Sequence, residues 1–213
     1  MSDPNTSSSS ETVSETSKEQ GISSQKLNLI LAICAILISA ASFYATYLQA
    51  NAAEKQVKAM TLPLLQYVTG NASHNSKESV VAFNVTNGGV GPALIKSFNF
   101  FYKKKKYQTF EQFLQACCQK EYMEYQDKVA QGVTRAEGLF ATRGVVNTIL
   151  PSQESNTFYQ LYLGEKSKEF WHKLDDERFN LGMEICYCSL LDECYSTQGK
   201  GVVEPVETCP VEN

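Results

Sequence analysis

Residues 27–53 contain no Asp, Glu, Lys or Arg, and this stretch restricts the fold more than any other feature of the chain. Leu27 to Ile38 is almost purely apolar, and Ser39 to Ala50 continues with small and aromatic residues. A helix crossing a hydrocarbon core of ~30 Å needs about 20 residues. Residues 27–49 are therefore expected to form one transmembrane helix, with the lipid bilayer as its first partner. Tyr44 and Tyr47 fall where an interfacial aromatic belt would sit. A cleaved signal peptide is the competing reading, since Leu29 to Ala41 is a compact apolar stretch followed by small residues. Against it, the preceding tail is long and acidic rather than short and basic. The helical pattern also runs on through residues 50–61, as a stalk that stops before Pro63.

Residues 1–24 are rich in Ser, Thr and Glu, with an unbroken Ser7–Ser10 run. Such a segment buries too little apolar surface to offset its ordering entropy, so it is expected to be a disordered tail. On the span, Ala35, Ser39, Ser42 and Thr46, and likewise Ala41 and Ala45, put small residues three or four apart. That spacing can let two helices approach, which makes a homo-oligomer through the span one expected partner. The net charge of -4 argues against a nucleic-acid partner.

Residues 62–213 read as a β-rich domain. Val81, Phe83 and Val85 alternate in Ser79–Thr86, and Asn87-Gly88-Gly89-Val90-Gly91-Pro92 follows as turn chemistry. Gly88, Gly89 and Gly91 are expected to be positive-φ turn residues. A second strand, Ala93 to Tyr102, points Phe98 and Phe100 inward, and Lys96 breaks its alternation as a bulge or an edge would. Gly138 to Leu150 reads as one strand or two around Gly144. Thr157–Leu163 and Asn180–Leu190 follow, the latter with Leu181, Met183, Ile185 and Tyr187 on one face and Cys194–Gln198 as its hairpin partner. Helices are predicted near 109–126, with Phe110, Phe113, Leu114, Cys117 and Tyr122 as the apolar face, and near 167–177, with Ser167 as N-cap. Short strands separated by turns suggest an immunoglobulin-like antiparallel β-sandwich with helical insertions.

Seven cysteines offer the main chemistry. Cys34 lies in the span and reads as an inert apolar residue. Cys117, Cys118, Cys186, Cys188, Cys194 and Cys209 lie in the domain, and an even count in an exported domain points to disulfides. A tight turn near Leu191 would set Cys188 across from Cys194, at a separation a bridge tolerates. Cys209 could then join Cys186 or the Cys117/Cys118 helix. Reduced structural thiols and a metal site are the alternatives. The spacing C-x-C-x5-C-x14-C is not that of a zinc ribbon. His74 reads as a loop residue and His172 as a solvated helix residue. Lys103, Lys104, Lys105 and Lys106 read as a solvated loop or strand end, or as a contact with anionic lipid. No catalytic motif, metal set or cofactor motif is recognised, so no enzyme activity and no cofactor are expected. A thiol or metal enzyme using Cys186, Cys188 and Cys194 is the alternative.

The segments Asn87-Gly88-Gly89-Val90-Gly91-Pro92-Ala93 and Cys186-Tyr187-Cys188-Ser189 together resemble a group of uncharacterised bacterial membrane proteins. Those proteins have one N-terminal transmembrane helix, a helical stalk and a β-rich domain. Where that group often has Trp after the last motif cysteine, this chain has Tyr195. The resemblance covers the chain from about residue 27 onward. It implies a bacterial source, and it transfers no activity. Lys18 and Lys26 precede the span while Lys55 and Lys58 follow it, so the positive-inside count is a near tie. The cysteine count favours a periplasmic domain on an inner-membrane anchor. The expected role is binding, assembly or sensing with an unknown protein partner.

Overall fold

The computed structural model describes residues 23–72, 78–199 and 202–210; residues 1–22 of the expected disordered tail over 1–24, and His74, lie outside the described residues, while Ser24 already begins a helix. The chain divides into two units, Met1–Ala53 and Glu54–Asn213.

In the first unit runs most of α1 (Ser24–Met60), one helix that covers both the expected span and the expected stalk. It is long and apolar enough to cross a membrane, and its Leu and Ile side chains are exposed. At 1.5 Å per residue it would measure about 55 Å, longer than a hydrocarbon core of ~30 Å. Thr46 donates its hydroxyl to the Ser42 carbonyl one turn earlier, at 2.8 Å.

The second unit is mostly β, built of two antiparallel sheets. In chain order its strands are β1 (Leu65–Ala72), β2 (Ser79–Asn87), β3 (Ala93–Tyr102), β4 (Lys105–Tyr107), β5 (Phe140–Thr142), β6 (Ile149–Leu150), β7 (Ser155–Tyr162), β8 (Leu181–Cys188), β9 (Cys194–Thr197) and β10 (Val203–Val206). Helix α2 (Phe110–Ala130) lies between β4 and β5, and α3 (Lys168–Glu177) between β7 and β8. One sheet has the order β1-β2-β7-β5; the other has β10-β9-β8-β3-β4, with β6 also paired to β3. Both sheets feed one core. Val81, Phe83 and Val85 of β2 are fully buried, as are Ile185 and Tyr187 of β8. Phe98 of one sheet meets Phe158 of the other, ring centroids 5.2 Å apart and edge to face.

The alternation break in β3 is a bulge at Lys96: the register against β8 shifts between Ile95 and Ser97. Before it Ala93 and Ile95 are buried; after it Phe98, Phe100 and Tyr102 are. One extra residue switches which parity faces the core. The Gly138–Leu150 segment forms two short strands rather than one. Strands β1, β4 and β10 were not among the strands read from the sequence.

Helix α2 starts on a capping box: the Thr109 hydroxyl accepts from the Gln112 amide while the Gln112 side chain accepts from the Thr109 amide. It breaks once, at Cys118, whose φ of -141° and ψ of 29° are not helical. The break moves the buried stripe, so Cys118 and Tyr125 join Phe113, Leu114 and Tyr122 inside while Cys117 is half-buried. Ser167 precedes α3 but does not cap it. Its hydroxyl donates to the Tyr162 carbonyl at 2.7 Å and accepts from the Gly164 amide at 3.0 Å, tying the loop back on itself.

Candidate functional site

The glycine-rich turn after β2 is a socket. Asn87 is fully buried, and its side chain makes five hydrogen bonds. Its oxygen accepts from the Leu64 amide at 3.1 Å and the Gly89 amide at 3.0 Å. Its amide donates to the carbonyls of Gly91, Leu150 and Pro151 at 2.8–3.2 Å. The turn amides then reach the chain just past α1: Gly88 donates to the Leu64 carbonyl at 2.9 Å and Val90 to the Leu62 carbonyl at 3.2 Å. The expectation of positive φ at Gly88, Gly89 and Gly91 is corrected, since the positive-φ glycines among the described residues are Gly132, Gly138 and Gly199. Space is the reason for glycine. A Cβ on Gly89 would strike the backbone of Leu62–Leu64, and one on Gly91 the backbone of Thr61.

The Cys186-Tyr187-Cys188-Ser189 segment holds the same Thr61–Leu65 stretch from the other sheet. The Tyr187 hydroxyl donates to the Pro63 carbonyl at 3.3 Å and accepts from the Leu65 amide at 3.4 Å; burial pushes its pKa up to about 12. Ser189 orders the β8–β9 turn, its hydroxyl accepting from the amides of Leu191 and Glu193. Glu193 then meets Lys58 of α1 at 3.0 Å, and the hydrogen bond from that ammonium lowers the Glu193 pKa. The glycine-rich turn and the Cys186–Ser189 segment thus both grip the segment that leaves the apolar helix.

The six domain cysteines lie in three pairs at bridging distance. Cys188 and Cys194 face each other across the β8–β9 ladder with Cα atoms 4.0 Å apart. Cys186 and Cys209 are 5.6 Å apart at Cα and tie the C-terminal segment to β8. Cys117 pairs with its neighbour Cys118, at the break in α2. Adjacent-residue pairing was not among the connectivities weighed from the sequence, because spacing alone favours distant partners. The sulfurs of Cys188, Cys194 and Cys209 lie within 4.8 Å of one another, the compact arrangement expected of two bridges on adjoining positions. Cys34 is unpaired and exposed on α1.

The lysine run is a hairpin turn. Lys103 and Lys104 occupy the left-handed region at φ 48° and 65°, and Lys105 and Lys106 begin β4. All four are exposed, and Lys106 pairs with Glu184 at 3.2 Å. His172 is exposed on α3, its ring against the edge of Trp171.

A cavity of about 480 Å³ lies between the two sheets and α2. Phe98 and Phe100 of β3 and Phe158 and Tyr159 of β7 form its walls, and Phe110, Leu114 and Tyr122 of α2 close it. Phe140 and the 142–146 segment complete the lining, which includes Gly144. Gln108, Glu111, Gln126 and Arg143 supply the polar lining. That size and composition match small-molecule sites in general. Phe110 packs edge to face on Phe158 at 5.5 Å and tilts against Tyr159 at 4.6 Å.

Tyr159 is the exceptional group in this wall. It is 3% exposed, and its hydroxyl has no hydrogen-bond partner in the protein. Burial pushes its pKa well above the ordinary tyrosine value, so the proton stays on the oxygen. Leaving such a group unpaired costs about 1–3 kcal/mol. Two other buried tyrosines are satisfied: Tyr125 donates to the Gly138 carbonyl at 2.8 Å and Tyr102 to Glu177 at 2.9 Å. Tyr67 is a second unpaired hydroxyl, but it does not line the cavity.

No protein-family model matches the chain, and no curated protein matches it. The cavity was not read from the sequence. Its phenylalanines carry the same alternation and helical spacing as core residues, and pattern alone does not distinguish a wall that packs from one that leaves space.

Proposed function

We propose that the chain is a membrane-anchored, non-catalytic binding or sensing subunit whose ligand enters the cavity between the sheets and α2. The observation that carries this reading is the cavity itself: about 480 Å³, walled by aromatic rings, with Tyr159 unpaired in the wall. An apolar wall with a few hydrogen-bonding groups favours capture and orientation of a ligand. The finer architecture we infer is an immunoglobulin-like sandwich with α2 and α3 as insertions, supported by two antiparallel sheets that share one core. Six domain cysteines in pairs at bridging distance support a periplasmic domain on a bacterial inner-membrane helix. That placement agrees with the resemblance to single-pass bacterial membrane proteins.

The test is a screen of fluorinated aromatic fragments against the full chain in lipid nanodiscs, read by fluorine NMR. Saturable hits are expected that a Gly144→Trp variant abolishes. Gly144 lines the cavity and has open space where a side chain would start, so the variant should fold and fill the site. A screen without hits sensitive to that variant overturns the reading. Location is checked with a membrane-impermeant maleimide on intact cells: labelling of the domain only after reduction is expected.

A second reading, a thiol or metal enzyme at Cys186, Cys188 and Cys194, is favoured by the close sulfurs of Cys188, Cys194 and Cys209. It requires the reduced chain to bind one equivalent of zinc, and to lose it in Cys188→Ser. Retention of full stability and absence of zinc in the reduced chain would remove this reading.

A further inference from the structure

We infer that the end of the β domain that receives α1 rests on the bilayer, with Val90, Ile149, Leu190 and Leu191 set into the headgroup–acyl boundary of zwitterionic phospholipid. The inference rests on the membrane-anchored reading above and goes beyond it: the domain itself, and not the helix alone, contacts lipid.

The sheet registers bring these residues to one end. Val206 pairs with Cys194, Cys194 with Cys188, Cys188 with Leu94, and Leu94 with Ile149, so one row crosses the sheet from β10 to β6. The turns just beyond this row carry Val90, Leu190 and Leu191, and all four apolar side chains are exposed. The chain leaving α1 meets the same turns. Lys58 pairs with Glu193 at 3.0 Å, and the Leu62 carbonyl accepts from the Val90 amide at 3.2 Å. Exposed apolar residues gathered from separate segments mark a contact surface. Chain length sets what they contact. Lys58 follows Ala53, the last residue of the charge-free stretch, by five positions, a helical rise of about 8 Å. Whatever the angle between the two units, the turn held by Lys58 stays within that reach of the charge-free stretch. Charge then selects the lipid. Asp192 and Glu193 follow the two leucines directly, so a headgroup layer without net charge suits this end better than an anionic one. The lysine run that could meet anionic lipid lies past the other end of β3, ten residues and about 30 Å away.

The test reads tryptophan quenching by bromine on the upper acyl carbons of phosphatidylcholine nanodiscs that hold the full chain. Trp171, the one tryptophan of the chain, is buried on α3, whose Glu177 accepts from Tyr102 at the far end of β3. Its emission should be the same in brominated and ordinary lipid. In Leu191→Trp the added emission should be largely lost in brominated lipid, since apolar groups at an interface sink to the headgroup–acyl boundary. In Phe179→Trp it should not change. Phe179 is the more exposed of the two positions, 73% against 48%, but it lies two residues before Leu181, which pairs with Tyr102 at the far end. Both positions are on the surface, so both variants should fold. Quenching at 191 alone supports the inference. Equal quenching at both positions, or none at 191, overturns it. A blue-shifted but unquenched Leu191→Trp assigns the patch to a protein partner, which also overturns it. These outcomes leave the anchored reading intact as long as the full chain floats with vesicles. Failure to float overturns that reading, and the inference with it.

Discussion

The Asn87 socket and the aromatic cavity belong to one β domain, and they handle polarity in opposite ways. Asn87 is buried with its side chain fully engaged, holding Leu64, Gly89, Gly91, Leu150 and Pro151. Tyr159 is buried with its hydroxyl unengaged. A fully satisfied buried network specifies one arrangement and gains nothing from a visitor. The cavity keeps open volume beside its aromatic walls. The contrast supports the socket as a hold on the chain that leaves α1, and the cavity as the place we propose for binding.

The largest expected effect of breaking this contrast lies at the socket. Asn87→Ala strands buried amides and carbonyls of several segments at once, and should destabilise the domain by at least about 3 kcal/mol in denaturant unfolding. A loss under 1 kcal/mol would remove the socket from the account. Gly91→Ala should also destabilise strongly, because its Cβ has no room beside Thr61.

Next come the bridges. Cys186 and Cys209 are 23 residues apart and Cys188 and Cys194 six, so loop-closure entropy makes the first worth about 3 kcal/mol and the second about 2. Paired serine substitutions should reproduce that order. The reverse order would mean that the C-terminal segment is not held to β8 through Cys186.

A smaller effect concerns acid. Burial alone would raise the Glu177 pKa, but hydrogen bonds from Lys173, Asn180 and Tyr102 outweigh it and hold the carboxyl down to about 2. A lowered folded-state pKa stabilises the native state when the group is ionised. The contribution is therefore full above the ordinary value near 4.5 and lost as pH falls toward 2. Glu177→Gln should flatten the stability–pH curve in that window while leaving its shape above pH 6 unchanged. The Cys117–Cys118 pair gives a subtler test. Cys118 sits between the cavity residues Leu114 and Tyr122 on α2, where the backbone leaves helical geometry. Cys117→Ser should change global stability by less than about 1 kcal/mol, since a bridge between neighbours closes no long loop. It should still alter the affinity of aromatic fragments at the cavity.

Much of the fold was legible because strand alternation is a local signal. The β2, β3 and β8 faces follow from residue parity alone; the same parity marks a break at Lys96 but leaves a bulge and an edge equally open, and only the pairing with β8 decides for the bulge. The Cys188–Cys194 opposition needed only a short turn. What escaped depends on distant chain. Asn87-Gly88-Gly89 reads as a turn, but nothing near it in sequence says that Thr61–Leu65 returns to lie against it, so glycine was credited with positive φ instead of close approach. The break in α2 escaped because one non-helical residue hardly disturbs a helical apolar pattern. Tyr159 looked like any inward strand residue, since an unpaired hydroxyl is visible only once every neighbour is placed.

The most direct measurement is thermal unfolding of the full chain in nanodiscs, wild type beside Gly144→Trp, with and without a fluorinated aromatic fragment that the screen returns. The fragment should raise the melting temperature of the wild type and leave that of the variant unchanged. An equal gain in both would contradict the account.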